Sequence, residues 1–257
     1  MEERNASHGA ESMENPDPRW LETAQGQIID TAEMLGSVEW NGKKVLDVGC
    51  WWGWVIRYAR QKGAKVVGMD CQASRISDAV SFLQSSRDLC VADALHIPFP
   101  SSSFDVAVSI HVLEHILPEH DMIREIHRVL KPDGVLLISV PNDLSLGVLP
   151  YRPLRLLLRG RMAARFPSLF QYVKSISYSD LSHHREYTAR SISGLLQLKG
   201  FQVEKVWHHG LDLPYPLKGR LSQRMRQRIS LALGKTAPGI FRNSISVKAK
   251  KQQRKAG

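Results

Sequence analysis

The segment Val45-Leu-Asp-Val-Gly-Cys-Trp-Trp-Gly-Trp-Val-Ile-Arg-Tyr-Ala59 constrains the fold more than any other part of the chain. A short apolar run ends at Gly49, and a stretch with helical spacing begins near Gly53. Strand, tight turn and helix N-terminus together bring backbone N–H groups to the mouth of a parallel sheet, where an α/β fold binds its ligand. A dinucleotide turn, G-x-G-x-x-G, needs its second glycine so that the backbone can approach a pyrophosphate. Here Gly49 is followed at plus two by Trp51, whose indole would take that space, and the Gly-Lys-Ser/Thr of a P-loop is missing. What remains is a ligand with no phosphate at this point, or a glycine turn that binds nothing.

The rest of the chain repeats the strand-helix alternation. Strands are expected at Lys44 to Val48, Lys65 to Met69, Leu89 to Ala92, Phe104 to Ile110 and Gly134 to Val140. Helices are expected at Trp20 to Leu35, Gly53 to Gln61, Ser74 to Leu83 and Glu119 to Leu130. Short, nearly all-apolar strands between helices mean a parallel sheet covered on both faces. After Pro141 the alternation stops for about 40 residues. It resumes with a helix from Ala189 to Lys199, which has Thr188 as N-cap and Gly200 as its stop, then strands at Phe201 to Trp207 and Ser244 to Lys248. The division expected is an acidic, disordered leader at 1–17, one domain over 18–249 with insertions at 143–182 and 211–240, and a basic tail at 250–257.

Charge is unevenly placed. From Leu213 onward there are 12 Lys or Arg and no acid, whereas residues 1–212 are near neutrality. Leu144 to Ser179 is a second acid-free stretch, with Arg152, Arg155, Arg159, Arg161, Arg165 and Lys174. Both suit an anionic partner. The three cysteines form neither a C-x-x-C pair nor an even disulfide set. The polar start lacks the apolar core of a signal peptide, and no run approaches the ~20 apolar residues of a membrane span. A soluble, cytoplasmic protein is expected, and no oligomeric state follows.

Two acids extend the argument from the glycine turn. Asp70 ends the second strand 21 residues after Gly49, where a carboxylate can accept from both hydroxyls of a ribose. Taken alone it reads equally as a helix N-cap. Asp93 closes the third strand, where it can accept from an adenine amine or simply cap a loop. Together, after such a turn, they describe an adenosine pocket.

Val45 to Gly53, Gly68-Met-Asp70, Ala92-Asp-Ala-Leu-His-Ile-Pro-Phe-Pro-Ser-Ser-Ser-Phe-Asp-Val106, His111-Val-Leu-Glu-His-Ile116 and Leu130-Lys-Pro-Asp-Gly134 follow one another in an order and spacing that resemble class I S-adenosylmethionine (SAM) methyltransferases of the type 11, quinone-biosynthesis-like group. The resemblance covers about Lys44 to Asn142, and His183-His-Arg-Glu-Tyr-Thr188 through Phe201 is similar to the family's later part. Only Trp51 departs, standing where the family has its middle glycine. The resemblance implies a Rossmann-like seven-stranded, mostly parallel sheet of order 3-2-1-4-5-7-6. Strand 7 is antiparallel and helices lie on both faces. It further implies S-adenosyl-L-methionine as cofactor, with Asp47, Gly49 and Gly53 along the methionine moiety, Asp70 on the ribose, Asp93 and Ala94 by the adenine, and Ile110-His111 beneath the cofactor. Apart from the resemblance, the Trp51 indole is expected to wall the methionine end of the pocket.

His111, Glu114 and His115 have metal-like spacing, but a structural turn after strand 4 is the preferred reading and no metal is expected. Methyl transfer from a sulfonium needs a deprotonated nucleophile held in line. For a hydroxyl acceptor a neutral imidazole is a suitable base. His183 and His184 precede a helix N-terminus on the cofactor edge with Tyr187 close behind, and these three are the catalytic candidates. Pro150 to Tyr172, with Leu154-Arg-Leu-Leu-Leu-Arg159, is expected to form a lid whose arginines meet phosphate, an anionic membrane surface or only solvent. The expected function is methyl transfer from SAM to a small or lipid-like acceptor at oxygen. The alternatives are a tRNA or other RNA methyltransferase, for which the basic tail offers few stacking aromatics, and a SAM-fold binding protein without catalysis.

Overall fold

The computed structural model describes residues 31–142, 184–185, 187–209, 225 and 242–252. Its strands and helices run β1 Lys44–Val48, α1 Trp54–Gln61, β2 Lys65–Asp70, α2 Ala73–Leu83, β3 Leu89–Val91, β4 Phe104–Ile110, a 3-10 turn Leu113–His115, α3 Glu119–Val129, β5 Leu130–Pro141, α4 Ala189–Leu198, β6 Phe201–His209 and β7 Ser244–Lys251. Residues 31–35, the end of the expected first helix, are helical. The leader, nearly all of both insertions and the residues after Gln252 lie outside the described residues, as do the lid and most of the tail assigned to them.

The strands form one seven-stranded sheet in the order β3-β2-β1-β4-β5-β7-β6. β1 pairs in parallel with β2 and β4, β2 with β3, and β4 with β5, whereas β7 runs antiparallel between β5 and β6. The order and direction are those expected. Successive strand residues point to opposite faces, and two buried clusters follow from it. Leu46, Ala107, Leu136 and Ile138 pack with α3 and α4. Val45, Val106, Val108 and Leu137 pack with α1 and with Met34 and Leu35 on the other face. A sheet covered on both sides needs apolar residues in both phases, so its strands read as continuous apolar runs rather than alternating ones.

Several boundaries differ from expectation for local reasons. α3 stops at Val129 and β5 begins at Leu130, which is already extended at ψ 139°. Pro132 has no N–H to continue a helix and biases Lys131 toward extended backbone. β6 reaches His209 and β7 reaches Lys251, so Lys250 and Lys251 belong to the sheet rather than to a tail. α4 starts as expected. The Thr188 hydroxyl accepts from Ser191 N–H, and the Ser191 hydroxyl in turn accepts from Thr188 N–H, a reciprocal cap. Among the described residues no helix is long and apolar enough to cross a membrane.

Candidate functional site

All parallel strands point their carboxyl ends toward one edge, where the turn after β1 sits between the ends of β2 and β4. Gly49 and Cys50 donate their N–H groups to Met69 O, at 2.8 and 2.9 Å, which fixes the turn against β2. Gly49, Trp51 and Gly53 all have positive φ, of 74°, 47° and 87°. Trp51 thus keeps the left-handed backbone that a glycine adopts without strain, while its side chain packs on the cluster around Trp54 and Val55. The left-handed backbone of the motif persists, and the partly buried indole packs against an apolar cluster.

Asp70 lies beneath that turn, 2% exposed. Its Oδ2 accepts from Trp51 N at 3.3 Å and its Oδ1 from Gln72 N at 3.0 Å, with the Arg75 guanidinium 3.7 Å away. The N-cap of α2 is Gln72, so Asp70 ties the glycine turn to the next loop instead of capping the helix. Asp47, one strand over and equally buried, has an Oδ2 with no hydrogen-bond partner. Burial first, and the neighbouring Asp70 charge second, push its carboxyl up to about 8. Asp93 is exposed, and its Oδ1 accepts from Leu95 N at 2.9 Å, the loop-capping geometry that the sequence left open; Ala94 beside it is buried.

At the end of β4, Ile110 and His111 are half-buried. His111 donates its N–H to Ser139 O at 2.9 Å and turns left-handed at φ 55°. Its Nδ1 lies 3.2 Å from Oε1 of Glu114, which is 1% exposed and has a second oxygen without a partner. His115 points into solvent, so the metal-like triplet does not converge. Among the described residues no group of three or more ligating side chains does.

The three catalytic candidates part company. His183 lies outside the described residues. His184 is exposed and is tied to the edge through its backbone, which donates to Glu114 O at 2.8 Å. Tyr187 pairs with Asn142 just beyond β5, but its ring is 2% exposed and its hydroxyl is buried with no partner. Burial, then the Glu119 charge, pushes that hydroxyl well above the usual phenol range. It packs below the edge, beside the Arg185–Glu119 ion pair. Sequence reasoning gave Glu114 only a place in a structural turn and passed over His209. Glu114 was visible in the His111-x-x-Glu114 spacing; His209, at the far end of β6, had no signal beyond a strand longer than its apolar run.

Two buried groups make stability depend on pH in opposite senses. The raised Asp47 carboxyl holds a proton that the unfolded chain releases above pH ~4. Its contribution is therefore complete below pH ~4 and declines as pH rises toward 8. Burial of the His209 imidazole lowers it to about 4, so its contribution is complete above pH ~6.5 and lost as pH falls. Denaturant melts are expected to show wild type losing stability relative to Asp47→Asn from pH ~4 to 8. Relative to His209→Gln it should lose stability from pH 6.5 to 4; differences that do not change with pH would refute both assignments.

The sequence pattern of the methyltransferase-domain family matches residues 20–206. A probable S-adenosylmethionine-dependent methyltransferase of Mycolicibacterium smegmatis is 28% identical over 163 residues, 63% of this chain and 53% of that protein. The ubiquinone biosynthesis O-methyltransferase of Pseudomonas entomophila is 36% identical over 106 residues, 39% of this chain and 45% of the relative. The chain spans about half the length of the curated relatives it matches. Among solved structures, a chain of the complex between the Haloferax volcanii Trm112 methyltransferase activator and a methyltransferase superposes with a TM-score of 0.62 at 16% identity, covering 93% of this chain and 95% of that one, a likeness of fold. With a family match over most of its length, a sheet of the expected order and a glycine turn flanked by two buried aspartates, the chain belongs to the methyltransferase-domain family, whose fold and relatives imply S-adenosyl-L-methionine as cofactor.

Proposed function

We propose that this protein transfers a methyl group from SAM to a hydroxyl of a small or lipid-like acceptor. The observation that carries the reading is the pair of buried carboxylates at the ends of adjacent strands, Asp47 with an unpartnered oxygen and Asp70 bound to the amide of the glycine turn. A buried, unpartnered carboxylate oxygen is destabilising unless something supplies a donor. The ammonium of a methionine moiety is such a donor and would draw Asp47 into its charged form. Asp70 retains acceptor capacity for ribose hydroxyls, since a carboxylate accepts about four hydrogen bonds. Asp93, Ala94 and Ile110 would flank the adenosine, with Gly49, Trp51 and Gly53 along the methionine side.

When bound, SAM supplies an electrophilic methyl on a sulfonium. The chain's own residues then have three tasks: to hold the cofactor's polar ends, to exclude water at the edge, and to take a proton from the acceptor. Oxygen as the acceptor atom is supported by the relatives named O-methyltransferases and by the imidazole at the edge. Calorimetry with SAM and its demethylated product tests the first task, and binding in the micromolar range is expected. Methyl-labelled SAM, followed by separation of small-molecule, lipid and RNA fractions of a cell extract, tests the acceptor, and label is expected in an organic-soluble product. Label in RNA would favour an RNA methyltransferase, and absence of SAM binding would leave a fold without the activity.

A further inference from the structure

Resting on that function, we propose that His111 is the proton acceptor for the methylated hydroxyl and that Glu114 positions it. His111 stands at the carboxyl end of β4, one residue before Val112, the side chain packed directly against Gly49 of the glycine turn. That contact sets the histidine beside the turn where the cofactor is held. Its side chain is 26% exposed, so the ring opens onto the edge while its base is anchored. Glu114 is buried, and its Oε1 faces Nδ1 at 3.2 Å. In the proposed arrangement Glu114 Oε1 accepts from Nδ1, so that Nδ1 carries the hydrogen of a neutral ring and Nε2, for which the described residues show no hydrogen bond, keeps its lone pair.

The backbone holds this arrangement under strain. A histidine at φ 55° occupies a region few non-glycine residues adopt, and such positions gather at functional sites. His111 is fixed from both sides, by its N–H to Ser139 O and by Glu114, whose carbonyl accepts from His184 and Arg185 N–H groups at 2.8 and 3.3 Å. Tyr187, Glu119 and Arg185 back Glu114 from α3 and from the segment before α4, and buried His209 at the end of β6 is within electrostatic reach of His111. Among the described candidates His184 shows no such carboxylate partner and Tyr187 lacks access, which favours His111 as the base.

A base is needed because a phenolic hydroxyl titrates near 10, so about one molecule in a thousand is ionised at pH 7. In the step assigned to His111, the acceptor O–H bond breaks, the proton joins Nε2, and the electron pair remains on oxygen as the nucleophile. The proton then leaves to solvent from the exposed side of the ring. General bases of this kind contribute roughly 10² to 10⁴ in rate.

Long-range proton–nitrogen NMR of the full chain, with His111 assigned by comparison with His111→Gln, reads the tautomer without any turnover. The Nδ1–H form is expected in the wild type, with a mixture of tautomers in Glu114→Gln, whose amide can donate as well as accept. An Nε2–H ring in the wild type would overturn the proposal. Calorimetry separates this proposal from the function beneath it. His111→Gln is expected to bind SAM within about threefold of wild type. Markedly weaker binding would return His111 to a cofactor contact and sink the base role, whereas wild-type protein that fails to bind SAM counts against the methyltransferase reading itself. With catechol as hydroxyl probe and saturating SAM, His111→Ala should lose about a hundredfold or more in kcat and recover part of it with added imidazole. Unchanged kcat would also overturn the assignment.

Discussion

Asp70→Ala is expected to weaken SAM binding by roughly ten- to a hundredfold while the sheet stays folded. A hydrogen bond to a charged group contributes about 1.5 to 3 kcal/mol, and each 1.4 kcal/mol is tenfold in affinity. Losing the carboxylate removes the ribose acceptor and also leaves the Trp51 and Gln72 amides without the oxygens they now use. Two effects are therefore mixed in the alanine variant, and Asp70→Asn separates them. It keeps one carbonyl oxygen and the shape of the side chain but loses the charge, so its affinity should fall between wild type and alanine. A second readout is independent of ligand. The Asp70 charge helps to hold the Asp47 carboxyl high, and removing it should bring Asp47 down toward the ordinary carboxylate range in a carboxyl NMR titration. Affinity for SAM unchanged in both variants would remove Asp70 from the site.

How far the site was legible before the fold was known differs from residue to residue. That Asp47, Gly49 and Asp70 meet at one sheet edge was readable because strand, turn and the following strand lie within about 25 residues, whereas the role of Asp47 toward a cofactor came with the family resemblance. The strand order was not derivable from periodicity and came with the family resemblance. The proton acceptor was sought at His183, His184 and Tyr187 because they approach the cofactor edge in sequence. Whether a side chain faces the edge or the core is a tertiary property, and Tyr187 turned inward. His111 was assigned beneath the cofactor and Glu114 to a turn. Their pairing rests on a left-handed residue followed by a 3-10 turn, which no propensity of His-Val-Leu-Glu announces. Insertions rich in arginine and leucine fit lid, membrane and solvent equally well, because composition fixes no orientation.

Gly49→Ala is expected to destabilise the protein by about 2 to 4 kcal/mol, through two separable causes. One is the backbone: φ is 74°, a conformation that an L side chain adopts only under strain. The other is space: a Cβ at this position would stand 2.3 Å from Val112 Cγ2, far inside van der Waals contact, on a side chain held in the turn after β4. Val112→Ala alone removes partly buried methyl groups and should be mildly destabilising. In the double variant the contact with Cγ2 is removed, leaving only the 3.3 Å approach to the Cβ of residue 112, while the strained φ remains. Urea melts of the four proteins should therefore give a favourable coupling energy of about 1 kcal/mol or more between the two substitutions. Strict additivity would mean that Gly49 is required only for its backbone. The coupling matters beyond stability. If the glycine makes room for Val112, it sets how closely His111 approaches the cofactor turn, and the double variant, though partly restored in stability, should turn over more slowly than Val112→Ala. On this view the first glycine of the motif serves as the seat for the β4 turn as well as a hinge for the chain, so the cofactor site and the proton acceptor are registered against each other by a single contact.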